Sequence, residues 1–166
     1  VAPGCEIVGL EPGASGEAVR HLQQTLTGAL FYRGAGDGTF GTGTEAAVVA
    51  FHKAAGLART TEWAYSDWAA LAAFTPDIPD RPAEPDRIEV DITRQILTLV
   101  EGGRVAAIIP VSTASGEAYV SYTGQVVHSY TPRGDFHLTH HGLGWQCSYI
   151  GCIYYPWFFT PHYAIH

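Results

Sequence analysis

At 166 residues, 46% hydrophobic and only 15% charged, the chain can bury a sizeable core in one large or two small domains. A formal net charge of -7 argues against nucleic acid or an anionic membrane as partner. No apolar run approaches the roughly 18–20 residues that a membrane-crossing helix needs. The start, Val1-Ala2-Pro3-Gly4-Cys5, has no initiator Met and no basic-then-apolar leader. It reads as a mature N-terminus left by signal removal, or as a trimmed chain.

Residues 1–75 read as a small helical domain. Ser15 is placed to cap a first helix, with Val19, Leu22 and Leu26 at i, i+3, i+7 on one face. Thr42-Gly43-Thr44-Glu45 has the form of a capping box. The helix it opens runs through Ala46 to Phe51 and onward to a stop at Gly56. A third short helix is expected near Ser66, with Trp68 and Leu71 facing inward. Four prolines in the eleven residues from Thr75 to Pro85 then mark a semi-rigid linker over 76–87.

From residue 88 to 166 the period changes to two. Ile88, Val90 and Ile92 alternate with Glu89 and Asp91, a half-buried strand. Gln95–Val100 and Val105–Val111 follow, separated by a turn at Glu101-Gly102-Gly103-Arg104. Further strands are expected at Val126–His128, Gly134–His140 and Ile153–Phe159. The 19 Gly and 9 Tyr agree with a turn-rich β component. The fold class is therefore α+β in two domains. The chain stops at Tyr163-Ala164-Ile165-His166, within an ordered-looking strand, which suggests a domain cut short.

Some chemistry-bearing residues keep two readings at this level. Cys147 and Cys152 flank Ser148-Tyr149-Ile150-Gly151, so a hairpin would set them opposite each other. In an exported protein a disulfide there and a pair of inert packing cysteines both stay open, with a nucleophilic role as the lesser reading, whereas a reducing compartment disfavours the disulfide. Cys5 has no obvious partner. His137, His140 and His141 invite a metal reading, but residue 140 points away from the face shared by 137 and 141. No closed ligand set stands at the usual spacing, so neither metal nor cofactor is expected. Trp145, Tyr149, Tyr154, Tyr155, Trp157 and Phe158 read either as core or as a wall over a ligand.

Asp37-Gly38-Thr39-Phe40-Gly41-Thr42-Gly43-Thr44, after the helix carrying Val19-Arg20-His21-Leu22-Gln23-Gln24-Thr25-Leu26, resembles the three-helix peptidoglycan-binding domain. That family shows D-G-x-F-G-x-x-T after V-x-x-L-Q-x-x-L. The resemblance covers about residues 8–74 and implies a wall-glycan or stem-peptide ligand.

In the second half, Val111-Ser112-Thr113-Ala114-Ser115-Gly116, Thr131-Pro132-Arg133-Gly134 and Ala164-Ile165-His166 occur in that order. Together they resemble the L,D-transpeptidase (YkuD-like) catalytic domain, with V-S-T-G, T-P-x-G and I-H-G, over about residues 86–166. Ala114 stands where the family has the glycine of S-T-G. The resemblance implies a mostly-β sandwich or barrel, incomplete at its C-terminus, with His166 as the catalytic histidine.

The family's nucleophilic cysteine lies in an S-H-G-C-x-R element that is not among these residues. Such a thiol would attack the carbonyl before the terminal D-residue of a tetrapeptide stem, expelling D-Ala, and pass the acyl group to a neighbouring diamino acid as a 3→3 cross-link. The resemblance also makes Tyr154, Trp157 and Tyr163 candidates for stem-peptide contact. The chain as given is then expected to be inactive. The expected partners are stem peptides and glycan, the state monomeric, and the location an exported one at the bacterial wall. The alternative is a non-catalytic wall-binding protein.

Overall fold

The computed structural model describes residues 8–148 and 151–166, in two compact units, Val1–Ser112 and Thr113–His166. Three helices and a three-stranded sheet make up the first. Helix α1 (Glu17–Gly28) buries Val19, Leu22, Gln23 and Leu26. Its entry differs from the sequence expectation. The cap position is Gly16 with φ 122, and no side chain caps the helix. Ser15 is instead held in a bridge to Thr39, and Gly16 N–H donates to Gly38 O at 2.8 Å. Backbone pairing with the 37–40 turn thus replaces the side-chain cap.

Helix α2 (Thr42–Ala55) likewise begins one residue earlier than a Thr42 cap requires. Gly41 is the cap residue, Thr42 is already helical, and no side-chain capping bond forms. Glu45 N–H donates to Gly41 O at 3.0 Å, the first turn of the ladder. The C-terminal stop falls at Gly56, whose φ of 70 a Cβ-bearing residue resists. Its N–H donates to Lys53 O and that of Leu57 to His52 O, satisfying two of the last carbonyls. Helix α3 (Asp67–Ala73) buries Asp67 and Leu71, whereas Trp68 is half-buried.

After the exposed proline-rich segment, strands β1 (Arg87–Asp91), β2 (Ile96–Glu101) and β3 (Arg104–Pro110) form an antiparallel sheet in that order. Gly102 and Gly103, with φ of 57 and 76, make the tight β2–β3 turn. Ile96 and Ile108 enter the same core as Leu22, Phe51 and Trp63. Lys53 Nζ donates to Gln95 O at 3.2 Å and Val111 O at 2.9 Å, tying α2 to the strand ends. The first compact unit therefore extends past the proline-rich segment, because the sheet supplies part of the helical core. The sequence boundary at 88 marks the change of secondary structure.

The second unit is all strand and loop. Strands β4 (Ser115–Val120) and β5 (Val126–Tyr130) form a hairpin, and β7 (Trp145–Ser148) and β8 (Gly151–Tyr154) form another. Strands β6 (His140–His141), β9 (Trp157–Phe158) and β10 (Ala164–Ile165) make a sheet with β9 central.

Two expected strands are shorter than the sequence suggests. Of Gly134–His140 only the last residue is in a strand. Ile153–Phe159 is broken after Tyr154, where Tyr155 has a φ of 48 and Pro156, buried, cannot donate to a ladder. The three helices followed by a mostly-strand part are the architecture expected from the sequence. Among the described residues no helix is long and apolar enough to cross a membrane.

Candidate functional site

The 37–44 motif of the first half is organised around one buried amide. Gln23, fully buried, directs Nε2 at Asp37 Oδ1 (2.9 Å), Thr39 O (3.0 Å) and Thr44 Oγ1 (3.0 Å). Its Oε1 accepts from Gly38 N–H at 2.9 Å. Four positions of the D-G-x-F-G-x-x-T signature thereby meet the glutamine of V-x-x-L-Q-x-x-L. The signature is a scaffold joint, and its residues are consumed in holding the loop. Asp37 also accepts from Thr39 N–H at 2.9 Å. That amide first, then the Gln23 side chain, holds its carboxyl below the usual carboxylate value.

A second buried joint links α2 to α3. His52 Nδ1 faces Thr60 O at 3.0 Å and its Nε2 faces Asp67 Oδ2 at 3.0 Å. A carbonyl oxygen only accepts, so Nδ1 carries a hydrogen. The same Oδ2 accepts from Ala64 N–H at 2.7 Å, which closes the start of α3. This pair and the Gln23 hub escaped the sequence reading, because their partners lie 14 to 21 residues apart along the chain without periodicity.

In the second unit the structure joins two of the resembling motifs. Ala114 N–H donates to Thr131 Oγ1 at 2.9 Å, and Ser115 pairs with Tyr130 across the β4–β5 ladder. The V-S-T-A and T-P-R-G segments are thus neighbours. Ala114 needs no special backbone freedom here; its φ is not positive.

His166 follows β10 directly. Ile165 pairs with Trp157 and Ala164 with Phe158, while on the other edge of β9 His141 pairs with Trp157 and His140 with Phe158. His166 is exposed, and its imidazole makes no hydrogen bond among the described residues.

The candidate contact residues fall into one aromatic run and one flank. Trp145 lies 5.0 Å from Tyr154, Tyr154 4.5 Å from Tyr155, Tyr155 5.6 Å from His141, and His141 stacks on Trp157 at 4.2 Å. Tyr154 is 52% exposed and Trp157 46%, so both rings present a face to solvent and are not core. Tyr163 sits apart from this run, 6.2 Å from Phe159. Tyr149 lies outside the described residues, as does Cys5.

Cys147 and Cys152 are opposite each other on β7 and β8 and are joined in a disulfide, with Cα atoms 4.0 Å apart. Neither presents a thiol. His137, His140 and His141 do not converge: among the described residues no group of three or more His, Cys, Asp or Glu side chains could hold a metal.

Comparison with known proteins agrees with both halves. Residues 15–63 match the peptidoglycan binding domain family. The L,D-transpeptidase (residues 123–326) from Xylanimonas cellulosilytica DSM 15894 is a structural neighbour, 35% identical with a TM-score of 0.88 over 96% of this chain and 78% of that one. A fused Zn-dependent amidase/peptidase/peptidoglycan-binding domain-containing protein from Clostridium acetobutylicum ATCC 824 is 17% identical with a TM-score of 0.39, too slight a likeness to bear on either half. No curated protein sequence matches the chain. The class that fold and motifs define is a protein with a peptidoglycan-binding module joined to an L,D-transpeptidase fold. The chain belongs to the L,D-transpeptidase family.

Proposed function

We propose that this chain holds the wall-binding module and the histidine-bearing part of an enzyme that forms 3→3 cross-links in peptidoglycan. The observation that carries the reading is the ordered set Val111–Ala114, Thr131–Gly134 and Ala164–His166 on a fold shared at 35% identity with an L,D-transpeptidase.

In this reading His166 takes the proton of a cysteine thiol, and the thiolate attacks the carbonyl preceding the terminal D-Ala of a stem. The C–N bond to D-Ala breaks, and the departing amine takes up a proton. The amine of a diamino acid on a second stem then attacks the thioester, forming the new amide and returning the thiol. The S-H-G-C element that supplies the cysteine is not among the 166 residues, and the two cysteines of unit 2 are paired. We place the nucleophile outside this chain, and expect the chain alone to be inactive.

Tyr154 and Trp157, on the exposed aromatic run, are the proposed wall against which the stem lies, and Tyr163 flanks it. The helical residues 1–75 serve as the wall anchor, the segment 76–87 as the connector, and 88–166 as the incomplete catalytic domain. An exported, wall-associated monomer fits both this partner and the disulfide.

The reading is tested by supplying the natural polypeptide with tetrapeptide-stem muropeptides and following the products by mass spectrometry. Release of D-Ala with formation of 3→3 dimers, lost in His166→Ala, is the expected result. A protein that sediments with sacculi but yields no dimers would instead be a non-catalytic wall-binding protein.

A further inference from the structure

Strands β7 and β8 are the outer part of a longer two-stranded ribbon. At its base His140 pairs with Phe158 and His141 with Trp157. The pairing continues where Gly142 N–H donates to Pro156 O at 2.8 Å and Tyr155 N–H to Gly144 O at 2.9 Å. It ends in the register Trp145–Tyr154, Gln146–Ile153, Cys147–Cys152 and Ser148–Gly151. The two ends are supported differently. At the base β9 is central in a three-stranded sheet, and His140 and His141 stack on Phe158 and Trp157 at 4.3 and 4.2 Å. At the tip every residue of β7 is exposed, and of β8 only Ile153 is half-buried. A two-stranded hairpin without a core is marginal in water. Besides its ladder, the tip has side-chain bonds from Gln146 to Leu143 O and from Ser148 to Gly151 O, the Trp145–Tyr154 ring pair at 5.0 Å, and the disulfide. The covalent link is the strongest of these, because it removes open states that one ring pair only disfavours. Both cysteines are exposed, so an incoming thiolate can reach the sulfurs.

We propose that the Cys147–Cys152 bond is a redox switch that sets the order of the ribbon tip. The thiolate of a dithiol reductant attacks one sulfur, forming a mixed disulfide and releasing the other cysteine. The second thiol of the reductant then displaces the first cysteine. The reductant leaves oxidised to its own disulfide, and its two electrons and two protons remain on the Cys147 and Cys152 thiols. With the bond open, the tip frays back to Gly142 and Pro156, while the base keeps its sheet. Tyr154 then loses its fixed place beside Trp145, whereas Trp157, on the central strand β9, keeps its own. The consequence for function rests on the reading that these two rings face a stem peptide. On that reading, reduction weakens stem capture and leaves β10, which His166 follows, paired with β9.

The test treats the whole 166-residue chain with dithiothreitol in the absence of denaturant. Alkylation at residues 147 and 152 is read by mass spectrometry, and amide exchange is compared between the oxidised and reduced forms. Both cysteines are expected to become alkylated only after reduction. Exchange over 145–148 and 151–154 should then rise about tenfold or more, with 157–158 and the three helices unchanged and full reversal on reoxidation. A bond that opens only in denaturant, or a reduced tip that keeps its protection, overturns the proposal. Equal loss at 157–158 also overturns it, since the bond would then be a staple of the whole sheet. The functional arm uses the natural polypeptide carrying Cys147→Ser with Cys152→Ser. Its KM for tetrapeptide stems is expected to rise about five- to tenfold with kcat little changed, and an unchanged KM removes the regulatory role. If the unsubstituted natural polypeptide forms no dimers, the enzymatic reading fails instead, and the exchange measurement alone decides the switch.

Discussion

Ala114 and Thr131 meet through a single 2.9 Å hydrogen bond, backbone amide to hydroxyl, that fastens the V-S-T-A segment to the T-P-R-G segment. The two stretches are 17 residues apart in the chain. Their adjacency makes them parts of one structural feature. Thr131→Val keeps the shape and removes the acceptor. It is expected to cost about 1 kcal/mol. Amide hydrogen exchange at Ala114 reads the effect, and unchanged protection there would show that the bond is not formed in solution.

The Gln23 hub makes a stronger demand. Gln23→Ala leaves Gly38 N–H and Thr44 Oγ1 without their buried partner and opens a void under the 37–40 turn. The expected loss is about 2–4 kcal/mol of stability in the first unit, measured by urea denaturation. Gln23→Glu is expected to be nearly as costly, since a carboxylate cannot donate to Thr39 O.

Asp37 predicts an acid limb for the same unit. Its carboxyl is held below the ordinary 3.8, chiefly by the Thr39 amide, so the ionised form is the one the fold favours. The stability it contributes is present above pH 3.8 and is lost as pH falls through the lowered value. Asp37→Asn should therefore be less stable at neutral pH and lose less on acidification. Thermal melts of both proteins from pH 6 downward measure this. Parallel pH profiles would remove Asp37 from the acid response.

The Cys147–Cys152 bond closes a short loop, with a sequence separation of 5. For a loop of that size the chain-entropy stabilisation is about 2 kcal/mol. Cys147→Ser with Cys152→Ser is expected to raise hydrogen exchange along β7–β8 while leaving α1–α3 unchanged. Thiol titration of the native protein should find no reactive thiol at either position until reductant is added.

How far these features could be read in advance depends on the range of the interactions that make them. Helix faces at Val19, Leu22 and Leu26, the Gly56 stop and the Gly102-Gly103 turn are local, and periodicity and glycine placement expose them. The caps expected at Ser15 and Thr42 failed for a non-local reason. Ser15 is drawn into pairing with Thr39, and the chain enters both helices through glycine. The run Ile153–Phe159 looks like one strand by composition, but Tyr155 and Pro156 turn the chain so that its halves join different sheets.

The candidate site is legible only as an ordered set of motifs. The sequence order of Ala114, Thr131 and His166 suggested a shared site, and the structure adds the bond between the first two. What cannot be seen in one dimension is which rings share an exposed surface. Tyr154 and Trp157 are linked through Tyr155 and His141, whereas Tyr163, three residues before His166, lies with Phe159 instead.

The most direct measurement is intact-mass spectrometry after incubation with a carbapenem, run on the 166-residue chain and on the natural polypeptide. A β-lactam acylates the nucleophilic cysteine and stays attached, so the adduct reports which thiol the histidine serves. The account predicts no adduct on the 166-residue chain. It also predicts one adduct on the natural polypeptide, on a cysteine outside these residues, abolished by His166→Ala. An adduct on Cys147 or Cys152, or none on the natural polypeptide, would contradict it.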